Sequence, residues 1–297
     1  VYNDTLHRQQ VTLKMRAVQG SHVVFEESQR FTQEPGKYVS VGISIRPAKC
    51  TERTALSLTA ELYHGEQLMF TLHRDYSVYP AELKTEPAVQ TAVCYFGNET
   101  DYEIIRRLAP NCRRVRSIQE AGPERILVLG SGLEEQEADL HSGLYRFMMG
   151  GGRILILEQE GFSFGSMTIN KKEFLRAHAS EYSHPALKGL SNDDFSCWLP
   201  HAGEYGPDSF INSAFEKPQH GDFHILLECS FGDFNDGGDL WTPLLEYKKG
   251  QGAVLACQLE VMKHFAEVPQ ACVLVRNMLS YLDTKTYGYA DTGVIAG

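Results

Sequence analysis

The feature that most constrains this chain is a short apolar strand that ends in acidic residues. Residues 153–157 (Arg-Ile-Leu-Ile-Leu) follow a run of three glycines, and Glu158-Gln159-Glu160 comes directly after them. A run that is apolar on both faces is typical of a central strand in a parallel sheet. Such sheets place ligands and catalytic groups at the carboxyl ends of their strands. Because neither cysteine nor serine stands there, we predict this kind of fold without its nucleophile.

Length and charge restrict the possible partners. With 297 residues the chain is long enough for two domains. A net charge of −10 argues against nucleic acid and anionic membranes as partners, because phosphate contacts need clustered Lys and Arg. The one basic stretch, residues 113–116, is interpreted as a solvated strand edge. No stretch approaches the ~20 consecutive apolar residues that a membrane span requires.

The cysteines indicate neither disulfides nor metal binding. All seven are widely separated, and none forms a CxxC pair. We therefore expect no disulfide framework, no zinc site and no cofactor, and a reducing, cytoplasmic location is favoured. The chain begins at Val1 without an initiator Met, so we expect a piece cut from a longer polypeptide.

The first 84 residues have the pattern of an all-β domain. Short segments of alternating apolar and polar residues recur about every ten positions, with no helical period between them. The predicted strands are 11–17, 22–28, 38–45, 55–62 and 67–72. This spacing predicts an antiparallel, immunoglobulin-like β-sandwich over residues 1–84.

Residues 85–297 alternate between strand and helix patterns. Predicted strands at 91–96, 126–129 and 154–157 are separated by a helix that Asn98 caps and by one that opens near Ser131. This order predicts an open α/β sheet of the flavodoxin type. Three further strands and a last helix follow, at residues 223–229, 242–247, 252–259 and 269–282.

Several segments of the second half resemble a known family. The three glycines before the 153–157 strand and the His-Pro-Ala-Leu-Lys-Gly-Leu segment at 184–190 resemble class I glutamine amidotransferase-like domains. Residues 243–246, 249–252 and 277–281 resemble the versions appended to bacterial glycoside hydrolases, including the trimerisation domain of family 42 β-galactosidases. The first half resembles the immunoglobulin-like domains of family 2 β-galactosidases and β-glucuronidases.

The resemblance implies an accessory role and no catalytic residues. Amidotransferases of this class carry a Cys directly after the strand and a late His-x-Glu, whereas this chain has Glu158-Gln159-Glu160 and Gln258-Leu259-Glu260, with no His. Glutamine hydrolysis needs the thiolate and its base. The catalytic barrel of these hydrolases is also missing. The implied partners are the catalytic domain of the same polypeptide, a second copy of the chain, or carbohydrate.

Five residues are candidates for facing a ligand. Glu158 and Glu160, two apart on an ending strand, are expected to point to the same side, as acid and base chemistry requires. Trp198 and His201 lie beside two aspartates, and Trp241 follows another, a mixture that suits sugars. One alternative to the accessory role is therefore a small hydrolase that uses Glu158, Glu160 or His201. A second alternative is a carbohydrate-binding module that uses the two tryptophans.

Two glycine-rich segments favour turns over ligand sites. Gly130-Ser131-Gly132 lacks the Lys of a phosphate loop and the third glycine of a dinucleotide fingerprint. Residues 233–239 hold three acids and an amide but miss the calcium-loop pattern. We therefore predict no metal site.

Overall fold

The chain forms two compact units. The computed structural model describes residues 1–122, 125–133, 138–161, 164, 167–196, 198, 209–218, 220–230, 240–249 and 252–284. The units are Val1–Glu82 and Leu83–Gly297, so the boundary lies two residues before the predicted one. Among the described helices, none is both long enough and apolar enough to cross a membrane.

The first unit contains one antiparallel sheet of four long strands. These are β1 (Gln9–Gln19), β2 (His22–Gln33), β3 (Thr54–His64) and β4 (Gln67–Val78), in the order β2-β1-β3-β4. Alternate residues of β1 are buried, at Val11, Leu13, Met15 and Ala17. The sequence therefore gives one apolar and one polar face, as period-two alternation predicts.

The predicted strand at 38–45 is wrong. Its apolar residues Val39, Val41, Ile43 and Ile45 are half-buried and alternate with exposed ones, but residues 39–53 form no strand. The N–H of Val39 donates to Val1 O (2.8 Å), and the Gln19 side chain takes the place of a partner strand at Ala48. Residues 1–82 consequently form a single antiparallel sheet where a two-sheet sandwich was predicted.

The second unit is an α/β domain with a mixed sheet. Its strands are β5 (Val93–Phe96), β6 (Cys112–Arg114), β7 (Ile126–Leu129), β8 (Arg153–Ile156), β9 (Ile169–Phe174), β10 (His178–Ala179), β11 (Ile211–Glu216), β12 (Phe223–Ser230), β13 (Leu240–Lys249) and β14 (Gly252–Cys257). Its helices are α1 (Glu99–Leu108), α2 (Ala138–Met149) and α3 (Pro269–Leu282). Short 3-10 turns occupy Ala81–Lys84, Ile118–Glu120, Pro185–Leu187 and Asn192–Phe195.

Five parallel strands form the centre of this sheet, in the order β6-β5-β7-β8-β14. Numbered along the chain, this is the order 2-1-3-4-5 of flavodoxin-type folds, so the predicted topology is confirmed. Strands β13, β12 and β10 extend the sheet beyond β14 in antiparallel fashion, and β11 pairs with both β13 and β9. The basic stretch begins on β6, which is the edge strand, as predicted.

The helices cover both faces of the sheet. Leu155 and Leu157 belong to a buried cluster with α1 and α3, whereas Ile154 and Ile156 belong to a second cluster with α2. Residues 154–157 are all apolar, which fits a strand whose side chains are buried on both faces of the sheet. Since the helices cover the two faces, the carboxyl ends of the parallel strands are where the fold places a site.

Candidate functional site

The loops after β5 and β7 meet at the point where the strand order reverses. Asp101, which is 5% exposed, accepts hydrogen bonds from the Ser131 N–H (2.8 Å) and the Ser131 hydroxyl (2.7 Å). A Cβ atom on Gly130 would lie only 2.0 Å from the Tyr95 hydroxyl, so this close approach requires glycine. The groups of Ser131 are therefore engaged by Asp101 and do not form an open cradle for an anion.

Gln159, three residues after the end of β8, carries a fully buried amide side chain. Its Nε2 donates to the carbonyls of Gly130 (2.7 Å) and Leu157 (2.8 Å). Its Oε1 accepts the Leu133 N–H (2.9 Å). One side chain thus satisfies backbone groups of the loops after β7 and β8.

The backbone of Gln159 continues this network. Its N–H donates to Gln258 Oε1 (2.7 Å) in the loop after β14, and its carbonyl accepts the Ser213 hydroxyl of β11 (3.1 Å). The Gln258 side chain is oriented by this bond, because a backbone N–H needs an acceptor. Gln258 Nε2 is buried and has no hydrogen-bond partner among the described residues.

Glu158, next to this amide, is a half-buried carboxyl group. Burial and the negative charge of Glu260 raise its pKa from the usual value of 4.5 to about 7, although Lys263 opposes the shift. A carboxyl group that titrates near neutral pH has the proton affinity that general acid or base catalysis needs.

Beyond β14 lies a buried pair of a carboxylate and an imidazole. Glu260 and His264 are 5% and 4% exposed, and Glu260 Oε2 is 3.2 Å from His264 Nε2. The same oxygen accepts from Lys263 Nζ (2.7 Å), and Oε1 accepts from Asn212 Nδ2 (2.6 Å). Glu260 is thus paired and hydrogen-bonded, as a buried carboxylate must be.

His264 lies beside Glu260 in space, although the sequence segment 258–260 contains no histidine and none was predicted there. The chain turns helically after Glu260, since the N–H of His264 donates to the Glu260 carbonyl (3.1 Å). Residues four apart then share one side of the turn. A search for His-x-Glu missed the pair because its spacing is i, i+4 and the histidine follows the glutamate.

The site contains a His–Glu pair of the kind that activates a nucleophile, but Gln159 stands after β8 and carries an amide instead of a nucleophile. The Cys257 thiol lies close enough to interact electrostatically with Glu158, but burial raises the pKa of Cys257 to about 12. A thiol with that pKa is protonated at neutral pH and is unreactive.

The two predicted glutamates do not act as a pair. Glu160 is exposed and forms an ion pair with Lys171 (3.0 Å) at the surface, whereas Glu158 is half-buried. The partner whose charge most affects Glu158 is Glu260, which was not a predicted site residue. Glu158 is therefore partly shielded from solvent and electrostatically coupled to Glu260, whereas Glu160 lies at the surface.

The tryptophans are packed inside the domain. Trp198 is 8% exposed, stacks on Phe210 (ring centroids 4.5 Å apart) and meets His264 edge-on. Trp241 is 5% exposed and lies under Lys172 Nζ (4.6 Å). Neither ring offers an open face for stacking on a sugar. His201 and the 233–239 segment lie outside the described residues.

A second buried polar cluster joins the segments that carry the family resemblance. Glu246, fully buried, accepts from the Tyr281 hydroxyl (2.6 Å) and lies 3.0 Å from Lys248 Nζ and 3.6 Å from His184 Nε2. Burial opposes ionisation of Glu246, but the contacts with these three side chains outweigh it and lower its pKa. The Asn277 side chain also donates to Lys188 O (2.8 Å). These contacts attach α3 and the 184–190 turn to β13.

Comparison with known proteins gives only distant similarities. No protein-family model matches the chain, and no curated protein matches it in sequence. Among solved structures it is similar to a cytoplasmic protein from Salmonella typhimurium, with 11% identity, a TM-score of 0.38, and coverage of 76% of this chain and 95% of that one.

Two further solved structures are also similar to this chain. A ThuA-like protein from Parabacteroides merdae has 11% identity and a TM-score of 0.40, with 66% of this chain and 91% of that chain covered. The exo-β-1,4-mannosidase Op5Man5 from Opitutaceae bacterium strain TAV5 has 15% identity and a TM-score of 0.36, with 64% and 35% covered.

Replacing Gln159 tests whether its amide joins the loops. We expect Gln159→Leu to lower the free energy of unfolding by about 2–4 kcal/mol, because it leaves buried backbone groups of Gly130, Leu133 and Leu157 without partners. Urea unfolding measures the change. Gln119→Leu, at an exposed position, should change stability by less than about 0.5 kcal/mol. Equal small effects of both substitutions would contradict the network.

Replacing Glu158 tests its raised pKa. Between about pH 4.5 and pH 7 the folded protein keeps a proton that the unfolded chain has lost, so this group lowers stability as pH rises. Glu158→Gln removes that effect, and the variant should be more stable than the wild type by about 1–3 kcal/mol at about pH 8 and nearly equal to it at about pH 4.

The control for this experiment is Glu160→Gln, since that glutamate is exposed and paired only at the surface. Its stability should follow the wild type at both pH values within about 0.5 kcal/mol. A Glu158→Gln variant that also follows the wild type at both pH values would show that Glu158 titrates normally.

Proposed function

We propose that this chain is a non-catalytic accessory region of a bacterial glycoside hydrolase of the β-galactosidase kind. Its second unit would be a class I amidotransferase-like domain that has lost acyl transfer. The first unit would be the reduced counterpart of an immunoglobulin-like domain. The sequence segments at 184–190, 243–246 and 277–281 support the family assignment, and they meet at the Glu246 cluster.

The observation that carries the proposal is the residue that stands after β8, where a nucleophile would be expected. Gln159 stands there with its side chain and backbone engaged in five hydrogen bonds to neighbouring loops and strands. A nucleophile must have a free, reactive atom within reach of its base. This position has a structural role instead, so the His264–Glu260 pair has no nucleophile to activate.

The partners we propose are the catalytic domain of the same polypeptide and a second copy of this chain. The second unit exposes large apolar side chains, which supports such contacts because exposed apolar surface often marks an interface. These residues are Tyr145, Met149, Leu175, Tyr182 and Leu240.

A second candidate function is an acid–base hydrolase with its site at the carboxyl ends of the parallel strands. The pKa of about 7 at Glu158 favours it, because a carboxyl group with that pKa can exchange protons at neutral pH. A hydroxyl-rich substrate would suit carboxylate acceptors. A carbohydrate-binding module built on Trp198 and Trp241 is disfavoured, because both rings are packed in the domain.

Turnover of a substrate panel separates these functions. We expect the purified chain to hydrolyse neither glutamine, aryl glycosides nor aryl esters above the rate of the Glu158→Gln/Glu160→Gln variant. The reason is that the Gln159 amide after β8 provides no nucleophile, and the described residues form no catalytic barrel of the glycoside hydrolase kind.

The single variants interpret a positive result. Turnover that disappears with Glu158→Gln and persists with Glu160→Gln would contradict the accessory role and establish the acid–base site. Because Glu160 is exposed and its partner Lys171 is at the surface, its substitution controls for the change in charge.

A further inference from the structure

The edge strand β4 exposes an uncharged, apolar segment. Leu68, Met69 and Phe70 are 48%, 52% and 60% exposed, and residues 67–72 contain no charged side chain. Strand β4 is the last strand of its sheet, because β3 is its only neighbour in the strand order. A long edge with exposed apolar residues is a template for pairing with another strand.

The opposite edge of the same sheet is protected. Strand β2 carries Glu26, Glu27 and Arg30 along its middle, and its one exposed large apolar residue is Val23. Charged side chains on an edge strand prevent pairing. The two edges therefore differ in the feature that decides whether a further strand can add.

The residues of β4 are complementary to those of a second β4 in one antiparallel register. With Phe70 opposite the partner's Phe70, Leu68 lies opposite the partner's Leu72. Glu66, in the turn directly before β4, comes level with the partner's Arg74 when this register is continued past the end of the strand. Directly opposed side chains in an antiparallel pair are close enough to form apolar contacts and ion pairs.

The charged residues at the two ends of this segment are available. Glu66 and Arg74 are both exposed. Arg74 donates to the neighbouring His73 carbonyl (3.0 Å), and no ion pair within the described residues uses either side chain. A two-fold dimer would contain two copies of the Glu66–Arg74 pair, one on each side of the apolar segment.

We propose that two copies of this chain associate through β4, in antiparallel register about Phe70, to form one continuous eight-stranded sheet. The contact is isologous, so it closes into a dimer and leaves the charged β2 strands at the outer edges. This inference gives the self-association part of the proposed function a specific surface, and it is independent of whether the chain is catalytic.

Sedimentation equilibrium of the whole chain tests this interface. We expect the wild type to dimerise, and Glu66→Arg or Arg74→Glu alone to weaken the dimer about tenfold, because each turns two attractive pairs into repulsive ones. The double variant Glu66→Arg/Arg74→Glu exchanges the charges and should restore the wild-type dissociation constant within about threefold.

Two further variants separate the interface from folding. Phe70→Lys places two like charges at the centre of the contact and should abolish the dimer, whereas Val23→Lys on β2 should not change it. Circular dichroism should show the same secondary structure for both, since both positions are exposed. A wild type that is monomeric at every concentration, a dimer that Phe70→Lys leaves intact, or a charge exchange that restores nothing would overturn the proposal.

Discussion

The hydrogen bonds of Gln159 hold together the loops at the carboxyl ends of the parallel strands, where the candidate site of the second unit lies. Its side chain joins the loops after β7 and β8, and its backbone adds contacts to the loop after β14 and to β11. A buried amide of this kind stabilises only when its donors and acceptors are satisfied. Each atom that Gln159 uses for these hydrogen bonds is unavailable for chemistry, so this position has a structural role.

Two acidic residues, Glu158 and Glu260, lie close to these loops. Glu260 is held by polar contacts with Asn212, Lys263 and His264. Its charge and the burial of Glu158 together favour the protonated form of Glu158.

The sequence predicted local elements well and long-range ones poorly. Asn98 caps α1 as predicted, and the 126–129 and 153–157 runs form central strands because their two faces are both buried. The prediction failed at 38–45, where the alternation is present but no strand pairs, since alternation reports burial and not hydrogen bonding. Strands β9 and β11, which pair with each other, were not predicted. His264 was missed because only the turn after Glu260 brings the two side chains together.

The most direct test of this account is the ionisation of Glu158, followed by carbon-13 NMR of the glutamate side-chain carboxyls across the neutral pH range. The account predicts a midpoint near pH 7 in the wild type, in keeping with burial beside Glu260. In a Glu260→Gln background the midpoint should move towards the usual value, because one of the two causes is removed. A midpoint close to the usual value of 4.5 in the wild type would contradict the buried, charge-coupled edge described above.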